Sequence, residues 1–489
     1  MLNTEILSVQ TGQTETEQHA LRRAADCIKS GGLVVFPTET VYGLGGNALD
    51  GEAAKKIYAA KGRPSDNPLI VHISDKNQLS GIVDEIPDNA RKIMEKFWPG
   101  PLTVILKKKE NVPTETTGGL DTVAVRMPLS ETARRLIELS GIAVAAPSAN
   151  LSGKPSPTSA KHCIEDMTGR VDAIVCGEEC EVGVESTVLD MSGEIPLVLR
   201  PGGVTAEQLR EILGRVDVAA SLKKGEKPKS PGLKYKHYSP EADVVILSGN
   251  MELAKKYIKE KAKTKKVGML SFDEFPEIDG IETVSLGSSV KPEDAARKLF
   301  GALREMDERG VELVFAPEIP DKDMWSAVRN RLYRAAGERI IKLEDKKKLL
   351  FVCTGNTCRS PMAEGIFNKL AAEQDVCAKA DSAGIFADGS VISDNSCAVL
   401  SEIGIDMSGR KSVQITAELI EEADIVLTMT NSHKMMLVAA FGNGDKIYTL
   451  GEFSGSRADV PDPFGGSVEV YRVCRDSISD MIKKAIDKL

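Results

Sequence analysis

Short apolar runs alternate with amphipathic helical stretches along most of the chain. In the first part, the runs LIVHI, LTVIL, TVAVRM and IAVAAPS are separated by segments such as GEAAKKIYAAKG, whose apolar positions recur at helical spacing. This alternation is typical of an α/β or α+β domain. A second series, with the runs VVIL, KVGML and LVFAP, predicts a small open α/β domain. A third series, with LLFVC, IVLTM and KIYTL, predicts another α/β domain.

Two charge-rich stretches separate these three series. Residues 215–241 are rich in Lys, Gly and Pro, and a shorter joint, LEDKKK, precedes the third series. A chain of 489 residues is long enough for about three domains. We therefore predict domains at 1–214, 242–343 and 349–489, joined by linkers at 215–241 and 344–348.

Composition narrows the class of protein. The net charge of −9 argues against a general nucleic-acid binder. No apolar stretch approaches the roughly 20 residues of a membrane span, and the polar N-terminal residues do not form a signal peptide. The nine cysteines are scattered without the spacing of a small disulfide-bonded domain. We therefore expect a cytoplasmic protein with reduced thiols and no membrane partner.

The segment CTGNTCRS has the residue spacing that most clearly indicates a reactive site, and it follows an apolar run that ends at Val352. A strand, a tight loop and a helix N-terminus form an anion site, because loop amides and the helix dipole both favour negative charge. Arg359 offers a planar fork for phosphate oxygens, and Ser360 can cap the following helix with Pro361 in its first turn. Cys353 is expected to be a thiolate nucleophile. The segment predicts phosphoryl transfer through a cysteinyl-phosphate.

Turns at the ends of predicted strands in the first series carry Lys, Arg, Ser, Thr and Asn side chains. These turns occupy residues 36–45, 61–72, 98–103, 125–126, 147–150, 184–187 and 199–202. Such groups bind polyphosphates and small polar ligands. Because the chain has no G-x4-G-K-S/T loop, a Walker-type nucleotide site is excluded.

The order and amino-acid sequences of these turns resemble those of the threonylcarbamoyl-AMP synthase family, in its long form with an extra C-terminal domain, over about residues 5–342. The resemblance implies a YrdC-like twisted α/β sheet domain followed by a small Rossmann-like accessory domain. It also implies synthesis of L-threonylcarbamoyladenylate from L-threonine, bicarbonate and ATP. Downstream enzymes would then use the adenylate to modify adenosine-37 of tRNAs. Mg²⁺ is expected to be carried by ATP, because no dedicated carboxylate cluster is evident.

The resemblance assigns site residues position by position. Those that match ATP contacts are Lys61, Arg63, Asn67, Ser148, Asn150, Ser156 and Arg200, together with Tyr235 and His237 in the linker. Those that match threonine contacts are Thr40, His72, Arg126 and Ser186. Arg126 suits the threonine carboxylate, because a guanidinium fork meets a carboxylate in a bidentate manner. No resident metal site is expected.

Alternatives remain open for parts of this first series. His72 lies in an apolar run, so a hydrogen-bonded core histidine is an alternative to a ligand contact. Residues 234–238, which long family members thread over the active site, can instead belong to a solvated tether. The first series can also be interpreted as an RNA-binding module, although the acidic net charge and the small-ligand residue set disfavour that interpretation.

The third series resembles the low-molecular-weight protein tyrosine phosphatase family over essentially all of residues 348–489. The resemblance rests on the CTGNTCRS loop, the Ser-Ala-Gly at 382–384 and the Asp-Pro at 462–463. It implies an α/β domain with a central parallel sheet, no cofactor, and catalytic roles for Cys353, Arg359 and Asp462. Asp462 is expected to protonate the leaving group and then activate water. The remaining loop residues with a predicted role are Thr354, Gly355, Asn356, Thr357, Cys358 and Ser360.

Two departures from the tyrosine-specific pattern bear on the substrate. Thr357 stands where those members usually carry an aliphatic residue, and Phe464 and Gly465 stand where they often carry tyrosines. The sequences CTGNTCRSPMAE and DPFGGS together resemble those of the bacterial protein-arginine phosphatases. A hydroxyl and a smaller wall at Thr357 suit a polar, planar phosphoguanidinium, so we predict phosphoarginine in proteins as the substrate, with phosphotyrosine as the alternative. Arsenate reduction is disfavoured, because the stretch ADIVLTMTNSH has no cysteine pair to relay a disulfide.

Overall fold

The computed structural model describes residues 2–10, 13–219, 238–275, 277–343, 347–374, 376–442, 444–456 and 458–489. Tyr235, His237, most of the predicted linker at 215–241 and residues 344–346 lie outside the described residues. The chain divides into two compact units, Met1–Leu343 and Glu344–Leu489. The first unit holds the first two predicted series, and the second unit holds the third.

The first unit begins with an eleven-stranded mixed sheet. Its strands are β1 (Glu5–Ser8), β2 (Val34–Phe36), β3 (Gly43–Asn47), β4 (Ile70–His72), β5 (Leu102–Lys107), β6 (Thr122–Arg126), β7 (Val144–Ala145), β8 (Ala173–Cys176), β9 (Thr187–Asp190), β10 (Leu197–Arg200) and β11 (Asp217–Val218). The strand order is β1-β8-β2-β3-β7-β4-β6-β5-β9-β10-β11. Parallel and antiparallel pairings both occur, and β11 extends the sheet past the predicted boundary at residue 214.

The helices of this sheet domain position several predicted site residues. They are α1 (Glu15–Lys29), α2 (Gly51–Lys61), α3 (Asp88–Phe97), α4 (Glu131–Ser140), α5 (Ala160–Met167) and α6 (Ala206–Leu213), with a 3-10 helix at Lys76–Gly81. Asp50 caps α2 by accepting a hydrogen bond from the Glu52 amide, and Gly62 ends it in the left-handed conformation, with φ of 62°. Lys61 is therefore the last helical residue, and its side chain is buried.

The rest of the first unit, here called the accessory domain, has a five-stranded parallel sheet. Its strands are β12 (Asp243–Gly249), β13 (Val267–Ser271), β14 (Glu282–Ser285), β15 (Leu313–Pro317) and β16 (Ile340–Leu343), in the order β14-β13-β15-β12-β16. Its helices are α7 (Met251–Lys261), α8 (Pro292–Glu308) and α9 (Trp325–Ala336). All its pairings are parallel, so the predicted open α/β architecture is confirmed.

The accessory domain packs directly on the sheet domain. Arg304 on α8 donates to Asp166 at 2.7 Å, and Arg331 on α9 donates to Glu185 at 2.8 Å, with all four side chains buried. A Cβ on Gly183 would lie 2.2 Å from Cα of Arg297, so only glycine allows this approach of loop and helix. The two domains therefore share one buried interface.

The second unit has a four-stranded parallel sheet. Its strands are β17 (Lys347–Cys353), β18 (Ala378–Gly384), β19 (Ile425–Thr428) and β20 (Ile447–Thr449), in the order β18-β17-β19-β20. Its helices are α10 (Arg359–Glu373), α11 (Asp394–Ser401), α12 (Ala417–Glu422), α13 (Asn431–Phe441), α14 (Leu450–Ser454) and α15 (Val468–Ile486), with a 3-10 helix at Gly444–Lys446. The predicted central parallel sheet is confirmed, and its inner strand β17 ends at Cys353. In the part of the chain that the structure describes, no helix has the length and apolarity to cross a membrane.

Candidate active sites

A cavity of about 60 Å³ opens in the first unit. The predicted site residues that line it are Thr40, Lys61, Arg63, His72, Arg126, Ser148, Asn150, Ser186 and Arg200. Thr38, Tyr42, Ser152, Glu185 and Tyr238 also contribute to its wall. Because so many of the predicted ligand residues converge on it, this first-unit cavity is a candidate active site.

Cationic side chains crowd the first-unit cavity. Nζ of Lys61 donates to the carbonyl oxygens of Ser148 and Asn150, the latter at 2.6 Å. Burial, and then the neighbouring Arg63, lower the pKa of Lys61 well below its ordinary value. Burial likewise lowers the pKa of Arg63 to about 10, which still leaves it charged at neutral pH. Buried positive charge is stabilised by an anion, so these groups favour a polyphosphate.

Asn67 does not line the cavity, but it lies next to it. Its backbone carbonyl accepts a hydrogen bond from Nη2 of Arg63 at 3.3 Å. Both polar atoms of the Asn67 amide, and Nε of Arg63, are buried without a partner among the described residues. An unsatisfied buried amide costs about 1 to 3 kcal/mol, so a ligand that supplies the missing partner would be bound more tightly.

Arg126 is held by two neighbours on the β2–β3 turn. Nη2 donates to Oε1 of Glu39 at 2.6 Å, and Nη1 donates to Oγ1 of Thr40 at 2.8 Å. Both charged side chains of this ion pair are buried. Glu39 was not identified from the sequence, although it lies beside the predicted Thr40. The pair fixes the guanidinium plane at the cavity wall.

His72 is both a hydrogen-bonded core residue and a residue of the cavity wall, so it fits both alternatives that the sequence left open. The side chain is buried in β4, and Nδ1 contacts the carbonyl oxygen of Ile70 at 3.1 Å. It also lines the first-unit cavity. Burial, and then the charge of Arg126, lower the pKa of His72 to about 3, so the ring is neutral at physiological pH.

Ser186 and Arg200 are hydrogen-bonded to each other, whereas Ser156 is hydrogen-bonded to Glu185. Nη2 of Arg200 donates to the carbonyl oxygen of Ser186 at 2.9 Å. Oγ of Ser156 donates to Glu185 at 2.6 Å, and Ser156 does not line the cavity. Burial alone would raise the pKa of Glu185, but Arg331 and Arg200 outweigh burial and hold it at about 2. Glu185 was not assigned a role from the sequence.

Of residues 234–238, only Tyr238 is among the described residues, and it lines the first-unit cavity. It adopts a left-handed backbone conformation with φ of 64°, which is unusual for a residue with a bulky side chain. Its ring lies 5.2 Å from the ring of Phe300 on α8. The roles predicted for Tyr235 and His237 fall outside the described residues and remain predictions.

In the second unit, residues 353–360 form a loop, here called the phosphate loop, between β17 and α10. Sγ of Cys353 lies 3.0 Å from Oγ of Ser360 and accepts a hydrogen bond from the Asn356 amide at 3.2 Å. Asn356 has a left-handed φ of 53°, which turns the loop back over the thiol. Its side chain donates to Ser360 and to Ser382, and it accepts from the Val413 amide. The sulfur therefore has one backbone amide donor and one hydroxyl within hydrogen-bond distance.

The expected helix cap by Ser360 is wrong. Helix α10 begins at Arg359, and its N-terminal flanking residue is Cys358, whose side chain makes no capping bond. Ser360 is therefore the second helical residue, and its hydroxyl contacts the Cys353 sulfur instead. Pro361, at the third position, lies in the first turn as predicted.

The Ser-Ala-Gly segment at 382–384 supports the phosphate loop from β18. Oγ of Ser382 donates to Glu364 at 2.6 Å, and Glu364 is paired with Arg410. A Cβ on Gly384 would lie 2.8 Å from the Asn356 nitrogen and 2.9 Å from the Thr354 oxygen. The loop backbone can therefore lie this close to β18 only because residue 384 lacks a side chain.

Arg359 and Asp462 form the ionic part of this site. Nη2 of Arg359 donates to Oδ2 of Asp462 at 2.7 Å, across a sequence separation of 103 residues. The Arg359 side chain is 6% exposed and that of Asp462 is 52% exposed. A buried guanidinium and an exposed carboxylate thus lie side by side, and the exposure of Asp462 suits an acid that must reach a leaving group.

The rim of the phosphate loop carries residues with separate partners. Oγ1 of Thr354 lies 2.9 Å from Nε2 of His433, a residue that the sequence analysis missed. Thr357 is half-buried, and its carbonyl oxygen accepts a hydrogen bond from the Ser393 amide at 2.9 Å.

The remaining predicted residues near the loop differ in exposure and contacts. Sγ of Cys358 lies 3.2 Å from the hydroxyl of Tyr471. Gly355 is half-buried and Phe464 is exposed.

Comparisons with known families cover both units. Residues 26–202 match the Sua5–YciO–YrdC family model, described as "Telomere recombination", and residues 204–337 match "Threonylcarbamoyl-AMP synthase, C-terminal domain". Residues 348–489 match "Low molecular weight phosphotyrosine protein phosphatase". These matches follow the order in which the chain presents its sheet domain, accessory domain and phosphate-loop domain.

Similar individual proteins were found for each unit. The threonylcarbamoyl-AMP synthase of Pyrococcus abyssi is 48% identical over 334 residues, which are 67% of this chain and 97% of that protein. The crystal structure of P. abyssi Sua5 complexed with L-threonine has a TM-score of 0.65 and 47% identity, and the match covers 70% of this chain and 100% of that one. The protein-arginine-phosphatase of Bacillus subtilis is 40% identical over 144 residues, which are 29% of this chain and 95% of that protein.

The matched segments contain the residues that build the two candidate sites. The first-unit cavity lies within the segment shared with the synthases, and Cys353, Arg359 and Asp462 lie within the segment shared with the phosphatases. The chain therefore belongs to the threonylcarbamoyl-AMP synthase family through its first unit and to the low-molecular-weight protein phosphatase family through its second.

Proposed function

We propose that the chain is a bifunctional enzyme that makes L-threonylcarbamoyladenylate in its first unit and dephosphorylates phosphoarginine in proteins in its second. The threonylcarbamoyl-AMP synthase and protein-arginine-phosphatase relatives support this pairing of activities. For the first unit, the observation that carries the proposal is the convergence of Lys61, Arg63 and Arg200 on one cavity. For the second, it is the Arg359–Asp462 pair beside the Cys353 loop.

The first reaction joins three substrates. The threonine amine forms a carbon–nitrogen bond with carbon dioxide derived from bicarbonate, and the amine loses a proton. A carbamate oxygen then attacks the α-phosphorus of ATP, the bond from that phosphorus to the bridging oxygen breaks, and pyrophosphate leaves. Lys61, Arg63 and Arg200 are proposed to stabilise the charge on the phosphates, while the Asn67 amide gains a hydrogen-bond partner from ATP.

Threonine is proposed to bind beside Thr40, His72, Arg126 and Ser186. The P. abyssi protein crystallised with L-threonine supports this substrate. A neutral His72 adds no charge next to Arg126, so the guanidinium can hold the threonine carboxylate. Orientation of amine and α-phosphate in one cavity supplies the catalytic advantage of proximity.

The finer parts of the proposal concern metal, location and use of the product. Among the described residues, no cluster of three or more His, Cys, Asp or Glu side chains could hold a metal ion, which favours Mg²⁺ bound through the triphosphate. We propose a cytoplasmic location, because a reducing compartment keeps a cysteine nucleophile from oxidising to a disulfide. The adenylate would pass to the enzymes that modify adenosine-37 of tRNAs.

The synthase proposal is tested by pyrophosphate release from the purified full-length protein. Release should require ATP, L-threonine and bicarbonate together. Lys61→Met should reduce the rate at least about 100-fold, because it removes a phosphate-stabilising cation. Asp217→Asn, an exposed change on β11, is the matched control and should leave the rate unchanged. Absence of threonine-dependent release from the wild-type protein would refute the proposal.

The second reaction proceeds through a covalent intermediate. The Cys353 thiolate attacks phosphorus, the phosphorus–nitrogen bond breaks, and Asp462 donates a proton to the departing guanidine nitrogen. The Asp462 carboxylate then takes a proton from water, whose oxygen attacks phosphorus, and the sulfur–phosphorus bond breaks to release phosphate. Arg359 and the loop amides stabilise the oxygens in both steps.

Substrate choice is proposed to depend on Thr357. Its half-buried position beside α11 offers a hydroxyl and a small wall to a planar phosphoguanidinium. Hydrolysis of phosphoarginine and phosphotyrosine should be compared at equal concentration, with Thr357→Ile and the near-isosteric Thr357→Val as a pair. We expect wild type to prefer phosphoarginine and Thr357→Ile to shift the kcat/KM ratio at least about tenfold towards phosphotyrosine. An unchanged ratio in Thr357→Ile would contradict this role.

A further inference from the structure

Two loops that carry predicted ligand residues are tied together by a residue outside the sheet domain. Ser186 follows Glu185, and Arg200 precedes Pro201. Arg331, on helix α9 of the accessory domain, donates from Nε to the Glu185 carboxylate at 2.8 Å and from Nη2 to the Glu185 carbonyl at 3.2 Å. Its Nη1 donates to the carbonyl oxygen of Pro201. One guanidinium thus bonds to both loops.

The setting of Arg331 makes this contact rigid. Its side chain is 0% exposed, although it carries a full charge. The ring of Tyr238, which lines the first-unit cavity, lies 5.9 Å from the Arg331 guanidinium. A buried arginine is retained only with its hydrogen bonds satisfied, and here the carboxylate and two carbonyls provide them.

The contact continues into the cavity. Glu185 lines the cavity and also accepts from Ser156 at 2.6 Å, while Arg200 donates to the Ser186 carbonyl. Arg331 itself does not line the cavity. Its position therefore bears on the ligand-binding residues through Glu185 and Pro201, without contact to a substrate.

We propose that Arg331 is a positioning residue for the synthase site, through which the accessory domain sets the spacing of Ser186 and Arg200. This inference rests on the proposed synthase function. Lysine at this position keeps the charge but loses the planar fork, so it cannot satisfy the Glu185 carboxylate and both carbonyls at once. Glu185 and Pro201 should then shift relative to the β9–β10 ladder, which pairs Arg200 with Val188, while the accessory domain remains folded.

The second buried ion pair of the same interface offers a matched control. Arg304 donates to Asp166 at 2.7 Å and to the Pro155 carbonyl at 2.6 Å, and neither Arg304 nor Asp166 lines the cavity. Arg304→Lys makes the same chemical change as Arg331→Lys at a similarly buried arginine. A purely structural role predicts the same effect for both variants.

The experiment measures Kd for L-threonine and for ATP by calorimetry, and KM and kcat from pyrophosphate release, on the full-length protein. Unfolding is followed by tryptophan emission. We expect both lysine variants to lower the unfolding midpoint, but only Arg331→Lys to raise Kd and KM for both ligands by at least about tenfold. Arg304→Lys should leave Kd and KM for L-threonine within twofold of wild type; ATP is not compared in this variant, because Arg304 also bonds to Pro155 beside Ser156. Equal affinities for L-threonine in the two variants would overturn the inference.

A second variant guards against misfolding of Arg331→Lys. Glu185→Gln keeps the shape of the partner and removes its charge, so it should raise Kd by a similar factor. The double variant should be no more than twofold weaker than the more impaired single variant, because both changes break one contact. Additive losses would overturn the inference. Failure of wild type to bind either ligand would instead refute the synthase proposal itself.

Discussion

Replacement of Gly384 by alanine is expected to disable the phosphatase site by crowding. The new Cβ would lie 2.8 Å from the Asn356 nitrogen, 2.9 Å from the Gly355 carbonyl carbon and 2.9 Å from the Thr354 oxygen. Ordinary van der Waals contacts begin near 3.4 Å, so the loop would have to retreat by about 0.5 Å. All three atoms belong to the backbone, and no flexible side chain can absorb the change.

The magnitude follows from that displacement. Overpacking of this kind costs about 1 to 3 kcal/mol of stability. A 1 Å misplacement of reacting groups can cost about 100-fold in rate, so a shift of half that size should lower kcat/KM about 10-fold to 100-fold. The loss should fall mainly on kcat, because the amides that meet the phosphoryl group in the transition state move with the loop.

The assay is phosphate release from phosphoarginine by the full-length protein. Gly444→Ala is the matched control, because its nearest atom would be Cγ1 of Val438 at an ordinary 3.8 Å. Tryptophan emission from Trp98 and Trp325, both in the first unit, checks that this unit unfolds as in wild type. The reasoning would be refuted if Gly384→Ala kept kcat/KM within twofold of wild type, or if Gly444→Ala lost as much.

Three further predictions concern other buried or catalytic groups. Burial lowers the pKa of His72 to about 3 in the folded chain from about 6.5 in the unfolded chain, so protonation of the unfolded chain lowers the free energy of unfolding as pH falls from 6.5 towards 3. His72→Gln should remove about 2 to 3 kcal/mol of this loss at pH 4.5, measured by urea unfolding. An unchanged dependence of the free energy of unfolding on pH in His72→Gln would contradict the prediction. Asp462→Asn should lower kcat on phosphoarginine about 10²-fold to 10⁴-fold, and a loss below tenfold would exclude it as the general acid. Arg304→Met should destabilise the first unit by about 3 to 5 kcal/mol, because Asp166 stays buried and unpaired. Adding Asp166→Leu should recover part of that loss, and equal stability of the single and double variants would show that the unpaired carboxylate is not its cause.

Site residues defined by their immediate neighbours in the chain could be predicted from the sequence. The Cys353 loop needs only a strand, eight residues and a helix start. The role of Lys61, by contrast, is implied by the family resemblance and not by the helix that Gly62 terminates. The expected cap by Ser360 was wrong by a small shift of the helix start, and helix ends are the least certain part of any pattern. Local spacing therefore predicts which residues share a loop better than it predicts which hydrogen bonds they make.

Contacts between distant segments could not be predicted in this way. Glu185 and Arg331 are separated by 146 residues, and Asp166 and Arg304 by 138. The amino-acid type alone does not distinguish a charged residue that will be buried from one that will lie on the surface. One signal was available: Arg331 lies on the apolar stripe of its helix, between the buried neighbours Val328 and Leu332. A charge at such a position indicates a buried partner.

The pairing of Arg359 with Asp462 bears on how the phosphatase turns over. The carboxylate that we propose as the acid competes with phosphate for the Arg359 guanidinium, because Nη2 of Arg359 already donates to it. Inorganic phosphate must break this ion pair to be held by the full fork, whereas its departure allows the pair to re-form. The contact would therefore lower the affinity of Arg359 for substrate, transition state and inorganic phosphate alike, and its re-formation would assist the release of phosphate.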